Sequence, residues 1–97
     1  MDDQATTVRR TKLVCTIGPA SQDRLPELVA AGMDVARLNF SHGSAESLGR
    51  SAEGVRVTSR RADRRVALLA DLSGPKIRLG DLESGSVTLE TGAQFVL

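Results

Sequence analysis

The fold follows from the nine residues VARLNFSHG at positions 35–43, which begin as a strand and end as a loop. Side chains alternate between the two faces of an extended strand. One face of this stretch is therefore polar and the other apolar, with Arg37, Asn39 and Ser41 on the first and Ala36, Leu38 and Phe40 on the second. Taken alone, such alternation is more typical of a half-solvated strand than of a functional one.

Strand and helix patterns alternate on both sides of this stretch. The apolar runs LVCTI at 13–17 and VALLA at 66–70 predict two more strands, and the second should be covered on both faces. Helical patterns separate the three strands and predict helices over 21–33 and from about Ser44 onward. Because strand–helix–strand order is typical of parallel βαβ units, the chain is predicted to be α/β up to residue 71.

The two predicted helices carry their own boundary signals. Pro26 is tolerable only in the first turn of its helix, and Gly32 suits the C-terminal cap. In the second helix the spacing of three, four and three residues marks one apolar stripe, made of Ala45, Leu48, Ala52 and Val55.

The two ends of the chain differ from this pattern. Residues 1–10 are polar, have no hydrophobic period and predict a flexible leader. After Gly80 the runs at 87–90 and 95–97, with a Thr91-Gly92 turn between them, predict a β-hairpin that begins a second domain. The last three residues are apolar and leave an uncovered edge, so the sequence is interpreted as truncated.

Composition excludes several classes of function. Two Phe, no Tyr or Trp and a net charge of +1 argue against nucleic-acid binding. No stretch approaches the roughly 20 apolar residues of a membrane-spanning helix. The single Cys15 and the absence of a secretory signal predict a reducing, cytoplasmic location.

Four polar residues near the strand ends could carry chemistry. Parallel strands bring Gly18, Ser41 and Asp71 to one C-terminal edge, where α/β proteins place their active sites. Asn39, Ser41 and Asp71 would supply the hard oxygen ligands that suit an alkali or alkaline-earth cation. Arg37 would clamp a phosphate or carboxylate. Asp71 remains equally open to a role as a helix cap or turn former, because Ser73-Gly74-Pro75 follows it.

Three segments together resemble pyruvate kinase, in the order and at the spacing found in that family: CTIGPAS at 15–21, AGMDVARLNFSHG at 31–43 and DLSGPKIR at 71–78. The resemblance covers about 70 of the 97 residues. It implies the first three βα units of a (β/α)8 TIM barrel over 11–74, followed at 75–97 by the start of a small β-barrel lid domain.

The family reaction is phosphoryl transfer from phosphoenolpyruvate to ADP, which gives pyruvate and ATP in the last step of glycolysis. The resemblance assigns phosphoenolpyruvate binding to Arg37. It assigns contacts with the nucleotide to Asn39, Phe40, Ser41, His42 and Arg78. It assigns a monovalent cation site to Asn39, Ser41, Asp71 and Leu72, the last through its carbonyl. For His42, a merely solvated loop position is weighted equally.

The resemblance also implies what this sequence lacks. The catalytic Lys and the Mg²⁺ ligands of the family lie on later strands, so the isolated chain is expected to be inactive, and the full-length enzyme is expected to be a homotetramer. Lys76 stands where members that need K⁺ carry Glu, which suggests that its ammonium replaces the ion and that K⁺ is not required; the other possibility for Lys76 is an ordinary surface lysine. The alternative is a short, non-catalytic binding protein derived from the family.

Overall fold

The computed structural model describes residues 9–96, and residues 1–8 and 97 lie outside the described part. Residues 1–8 of the predicted leader over 1–10 therefore lie outside the described residues, and that prediction stays a prediction. Three strands and two helices follow in the predicted order: β1 (Val14–Thr16), α1 (Leu25–Ala31), β2 (Val35–Asn39), α2 (Ala45–Arg61) and β3 (Ala67–Asp71). A single 3-10 turn over Gln22–Arg24 precedes α1.

The strands form one parallel sheet in the order β1-β2-β3. In its register Thr16 lies opposite Arg37, and Asn39 lies opposite Asp71. The C-terminal ends of all three strands consequently meet at one edge, as predicted for βαβ units. This edge is where the candidate functional residues are gathered.

Both helices pack on the same face of the sheet. Ala36 is fully buried there and Leu38 is 4% exposed, which confirms the predicted apolar face of β2. The core consists of seven buried residues: Ile17, Leu25, Val29, Met33, Ala36, Leu38 and Val55. Leu48 and Ala52 of α2 pack against it, so the predicted stripe faces the sheet, although Ala45 at its start is exposed. Phe40 lies beyond the end of β2 and is 39% exposed.

The C-terminal end of α1 is closed by Gly32, as the sequence predicts. Its φ of 117° lies in the left-handed region, and its N–H bonds to the carbonyls of Leu28 and Val29. A Cβ at this position would lie 2.7 Å from the guanidinium of Arg9, which bonds to the Gly32 carbonyl at 2.5 Å. Glycine suits this position for its left-handed backbone conformation, since the nearby Arg9 guanidinium is the end of a flexible side chain that can shift.

One expectation about β3 is wrong. The strand was predicted to be covered on both faces, yet Leu69 is 40% exposed and Ala67 and Ala70 are exposed as well. The reason is that β3 is an edge strand whose second face has no packed element in the described part of the chain. The apolar residues of β3 therefore include side chains on a face that no element within residues 9–96 covers.

The predicted hairpin is also not formed. Every residue over 72–96 is exposed, and none of them lies in a helix or strand. The turn itself is present, since the Ala93 N–H bonds to the Glu90 carbonyl at 3.1 Å, but the flanking runs do not pair. An isolated two-stranded hairpin is marginal without a surface to pack on. Across the described helices, none is long and apolar enough to cross a membrane.

An ion-pair cluster closes the opposite, N-terminal edge of the sheet. Oδ2 of Asp34 accepts from the Leu13 N–H at 2.8 Å, and Oδ1 accepts from Arg64 Nη2 at 2.9 Å. Arg9 approaches the same carboxylate at 3.3 Å, and Arg64 also bonds to the Val29 carbonyl at 2.5 Å. The backbone hydrogen bond from Leu13, aided by the two arginines, lowers the pKa of Asp34 below its ordinary value.

This lowered pKa predicts a pH-dependent contribution to stability. A carboxyl whose pKa is lower in the folded state stabilises the fold above its unfolded pKa of about 4, and that contribution is lost as pH falls through the folded value. We expect Asp34→Asn to lower the midpoint of thermal unfolding at pH 7, followed by circular dichroism, and to do so less and less as pH falls below about 4. Asp81→Asn, in the exposed segment, is the control, and an equal loss for Asp34→Asn at every pH would contradict the assignment.

Candidate functional site

The polar face of β2 is organised by Arg37, which reaches both neighbouring strands. Its Nε bonds to Oδ2 of Asp71 at 3.0 Å, and its Nη2 bonds to the same oxygen. Its Nη1 donates to Oγ1 of Thr16 at 2.9 Å. The guanidinium is thus held across all three strands at the open face of the sheet, with 31% of the side chain exposed.

This arrangement leaves part of the guanidinium available. The group carries five N–H donors, and the contacts with Asp71 and Thr16 use three of them. Two N–H groups remain in a fixed, planar orientation. Such a guanidinium is suited to a phosphate or carboxylate, because its orientation is already determined before the anion arrives.

Asp71 ends β3 on the same face as Arg37. Both hydrogen bonds from Arg37 go to Oδ2, and within residues 9–96 the other oxygen, Oδ1, has no hydrogen-bond partner. The carboxylate is 44% exposed. The sequence left Asp71 open between a cap or turn and a charged partner, and its partner in the structure is Arg37.

The loop after β2 folds back on itself and leads into α2. The amide oxygen of Asn39 accepts from the Ser41 N–H at 3.0 Å, and the Asn39 carbonyl accepts from the His42 N–H at 3.3 Å. Gly43 then adopts a φ of +82°, and a Cβ there would lie 2.8 Å from Oγ of Ser47. The loop therefore lies close against the first turn of α2, which Ser44 and Ser47 close by a reciprocal capping box.

A cleft of about 560 Å³ opens beside this loop, between the β1–α1 connection and the first turns of α2. Its volume lies within the range of small-molecule sites. The lining residues are Thr16, Ile17, Gly18, Pro19, Gln22, Asn39, His42, Gly43, Ser47, Leu48, Arg50 and Ser51. Two residues of its wall are joined by a hydrogen bond from the Ser51 hydroxyl to Oε1 of Gln22 at 2.7 Å.

The cleft and the arginine are contiguous. Thr16 lines the cleft and also accepts a hydrogen bond from Arg37. Asn39 lines the cleft and lies opposite Asp71 in the sheet. An anion on Arg37 and a second ligand in the cleft would therefore be neighbours at the C-terminal edge.

The predicted site residues fall into two groups. The structure brings Arg37, Asn39, Ser41, His42 and Asp71 to this edge. Phe40 lies at the same edge, where its N–H donates to the Asp71 carbonyl at 3.0 Å, but it does not line the cleft. Leu72 directly follows Asp71, whereas Lys76 and Arg78 are exposed further along the segment without helix or strand.

Sequence reasoning missed Thr16 and the cleft residues on the helical side. Thr16 lies in the β1 pattern, and only the register, which places it opposite Arg37, reveals its role. Gln22, Arg50 and Ser51 look like ordinary helix residues in the sequence. The spacing of Ser47, Arg50 and Ser51, three and four residues apart, is the one signal that they share a helix face.

Comparison with known proteins gives matches over almost the whole chain. A family model described as "Pyruvate kinase, barrel domain" matches residues 8–97. The pyruvate kinase of Geobacillus stearothermophilus is 50% identical over 91 residues, which are 92% of this chain and 16% of that protein. The pyruvate kinase of Corynebacterium efficiens is 54% identical over 86 residues, 87% of this chain and 18% of that protein. The chain thus spans less than a fifth of the length of these curated relatives.

Proposed function

This chain belongs to the pyruvate kinase family, and from that premise we propose that it supplies one side of an active site that transfers a phosphoryl group from phosphoenolpyruvate to ADP. Arg37 binds the phosphate of phosphoenolpyruvate. The cleft beside it receives the nucleotide. The product pair is pyruvate and ATP.

The observation that carries the proposal is the orientation of Arg37. Its guanidinium is held by Asp71 and Thr16 with two N–H groups left over, next to a cleft that shares Thr16 with it. Phosphoryl transfer depends on positioning and on neutralising phosphate charge more than on covalent chemistry by the protein. An oriented cation beside a second ligand site supplies both.

The nucleotide is assigned to the loop and the cleft. Asn39, Phe40, Ser41 and His42 form the loop, and Arg78 joins them from the segment after β3. Asn39 and His42 line the cleft, which supports this placement for those two residues. Phe40 does not line the cleft, and Arg78 comes to the nucleotide only if its segment folds over the sheet edge, so these two assignments rest on the family resemblance.

A monovalent cation fits the oxygens at the same edge. Asn39 and Asp71 face each other in register, Ser41 follows in the loop, and Oδ1 of Asp71 is not used by Arg37. These residues, with the Leu72 carbonyl, would hold an ion that adds positive charge beside the transferred phosphate. Mg²⁺ is proposed to take its ligands from later strands of the barrel, as the family resemblance implies.

A hybrid enzyme tests the proposal. This chain replaces the matching segment of the Geobacillus stearothermophilus pyruvate kinase, and pyruvate formation from phosphoenolpyruvate and ADP is measured. We expect turnover within about tenfold of the parent enzyme, whereas the purified 97-residue chain alone should give none. A folded but inactive hybrid would contradict the assigned role, and pyruvate formation by the chain alone would contradict its dependence on other strands.

A non-catalytic role is the alternative outcome. The open sheet face exposes Val14 and Leu69, by 54% and 40%, and could pair with another protein. A folded hybrid without activity, together with a stable complex formed by the chain in its native source, would favour that alternative.

A further inference from the structure

We propose that Arg50 is a nucleotide-binding residue that contacts the phosphate groups of the nucleotide in the cleft. This inference rests on the proposed function of the cleft and adds to it a residue on α2. The assignment follows from the charge of the lining, the other ion pairs of the helix and the position of Arg50 on its face.

Arg50 is the one formally charged residue among the described residues that line the cleft. None of these described lining residues is Asp or Glu, so the lining has a positive balance. Clefts lined by charge of one sign concentrate ligands of the opposite sign. The positive charge of the lining attracts a ligand that carries phosphate groups, whereas it gives no such attraction for a neutral ligand.

Within residues 9–96, the guanidinium of Arg50 forms no ion pair with a carboxylate. Glu53, three residues further along α2, lies 3.4 Å from Arg60 and 3.9 Å from Arg56. Glu46 is four residues before Arg50, within helical reach, yet the described part of the chain shows no ion pair between them. Arg50 therefore differs from Arg56 and Arg60, which neutralise a carboxylate on the same helix.

Arg50 lies on α2 at the border between the cleft and a second hollow, which Asp23 and Glu53 also line. Ser47, Arg50 and Ser51 form one face of α2, and all three line the cleft. Ser51 is bonded to Gln22, which fixes that part of the wall. The long side chain of Arg50 can then extend over the opening while its helix stays in place.

The test uses the 97-residue chain labelled with ¹⁵N, titrated with ADP, pyrophosphate or adenosine. We expect ADP and pyrophosphate to shift the Nε–H resonance of Arg50 and the amides of His42 and Ser47, and adenosine to leave the Arg50 resonance unchanged. Arg50→Ala should raise the Kd for ADP by about threefold to tenfold, and Arg50→Lys should recover part of the loss. Arg56→Ala, on the same helix but outside the cleft, is the matched control.

The outcomes separate this inference from the function it rests on. An unchanged Kd for ADP in Arg50→Ala overturns the role of Arg50 and leaves the nucleotide cleft standing. A shift of Arg50 by adenosine equal to that by ADP overturns the phosphate contact. If ADP shifts no resonance of the residues that line the cleft, the inference is overturned as well. The proposed function is tested separately, by the turnover of the hybrid enzyme. In that hybrid, Arg50→Ala should raise KM for ADP and leave KM for phosphoenolpyruvate unchanged.

Discussion

Replacement of Arg37 by alanine in the hybrid enzyme is expected to lower kcat/KM for phosphoenolpyruvate by about 100-fold or more, because each lost hydrogen bond to a charged group is worth roughly 1.5–3 kcal/mol. The structure adds a second cost. Without the guanidinium, Asp71 faces the incoming phosphate with its charge no longer neutralised by Arg37. Steady-state kinetics at several phosphoenolpyruvate concentrations measure the loss, and a change of less than about threefold would contradict the role of Arg37.

Two further variants distinguish charge from orientation. Arg37→Lys keeps the positive charge but cannot bond to Asp71, Thr16 and a phosphate at once, so most of the loss should remain. Thr16→Val removes only the acceptor at 2.9 Å from Nη1 and leaves the bonds to Asp71. We expect about a threefold to tenfold loss for Thr16→Val, in line with one hydrogen bond that orients a charged group. An equal loss of kcat/KM for Arg37→Ala, Arg37→Lys and Thr16→Val would mean that each change disrupts the structure of the site. A lowered midpoint of thermal unfolding of the hybrid would then accompany the loss.

The local elements of the fold could be predicted from the sequence because their signals are local. The cap at Gly32, the start of α2 after Ser44 and the buried face of β2 each depend on residues within a few positions of one another. The coverage of β3 and the pairing of the hairpin could not be predicted in the same way. Both depend on surfaces that residues outside the strand and the hairpin must supply. A run of apolar residues predicts that a strand is buried, but it does not indicate which element covers it.

The site shows the same division between local and distant information. Arg37 and Asp71 were each predicted to carry charge chemistry, but their mutual ion pair was not predicted. The two residues are 34 positions apart, and in the register Arg37 lies opposite Leu69. Asp71, two residues further on the same face, is reached diagonally by the long arginine side chain. The cluster of Asp34 with Arg9 and Arg64 was missed for the same reason, since its members come from three separate segments.

The ion pair between Arg37 and Asp71 affects how a cation would bind at this edge. A positive charge at Asp71 was expected from an ion or from Lys76, whereas the guanidinium of Arg37 already bonds to one carboxylate oxygen. The remaining oxygen can serve a second cation without breaking that pair. Two separate positive charges then lie at this edge. The guanidinium of Arg37 neutralises Asp71, and a second cation, either an ion or the ammonium of Lys76, assists the substrate. Only the second charge depends on the residue at position 76.

Lys76 provides the last and most selective prediction. In the structure its side chain is exposed and, in the described residues, forms no ion pair with Asp71, so its ammonium would act at the sheet edge only if the segment after β3 folds toward that edge. We propose that it then takes the place of K⁺, because a compact ammonium resembles the ion more closely than a planar guanidinium does. The hybrid should accordingly keep full activity when K⁺ is replaced by tetramethylammonium at constant ionic strength.

Substitution of Lys76 by glutamate should reverse this behaviour. The ammonium is lost and a carboxylate is added beside Asp71, so the site now requires a bound cation to balance the charge. We expect Lys76→Glu to lose activity by at least about tenfold in tetramethylammonium and to regain most of it in K⁺, with a saturable dependence on K⁺ concentration. Lys12→Glu is the matched control, because it removes the other lysine of the chain and should leave the cation response unchanged. If the unsubstituted hybrid already requires K⁺, the ammonium does not act in place of the ion, and Arg37 and Asp71 work beside a bound cation as the oxygen ligands alone would predict.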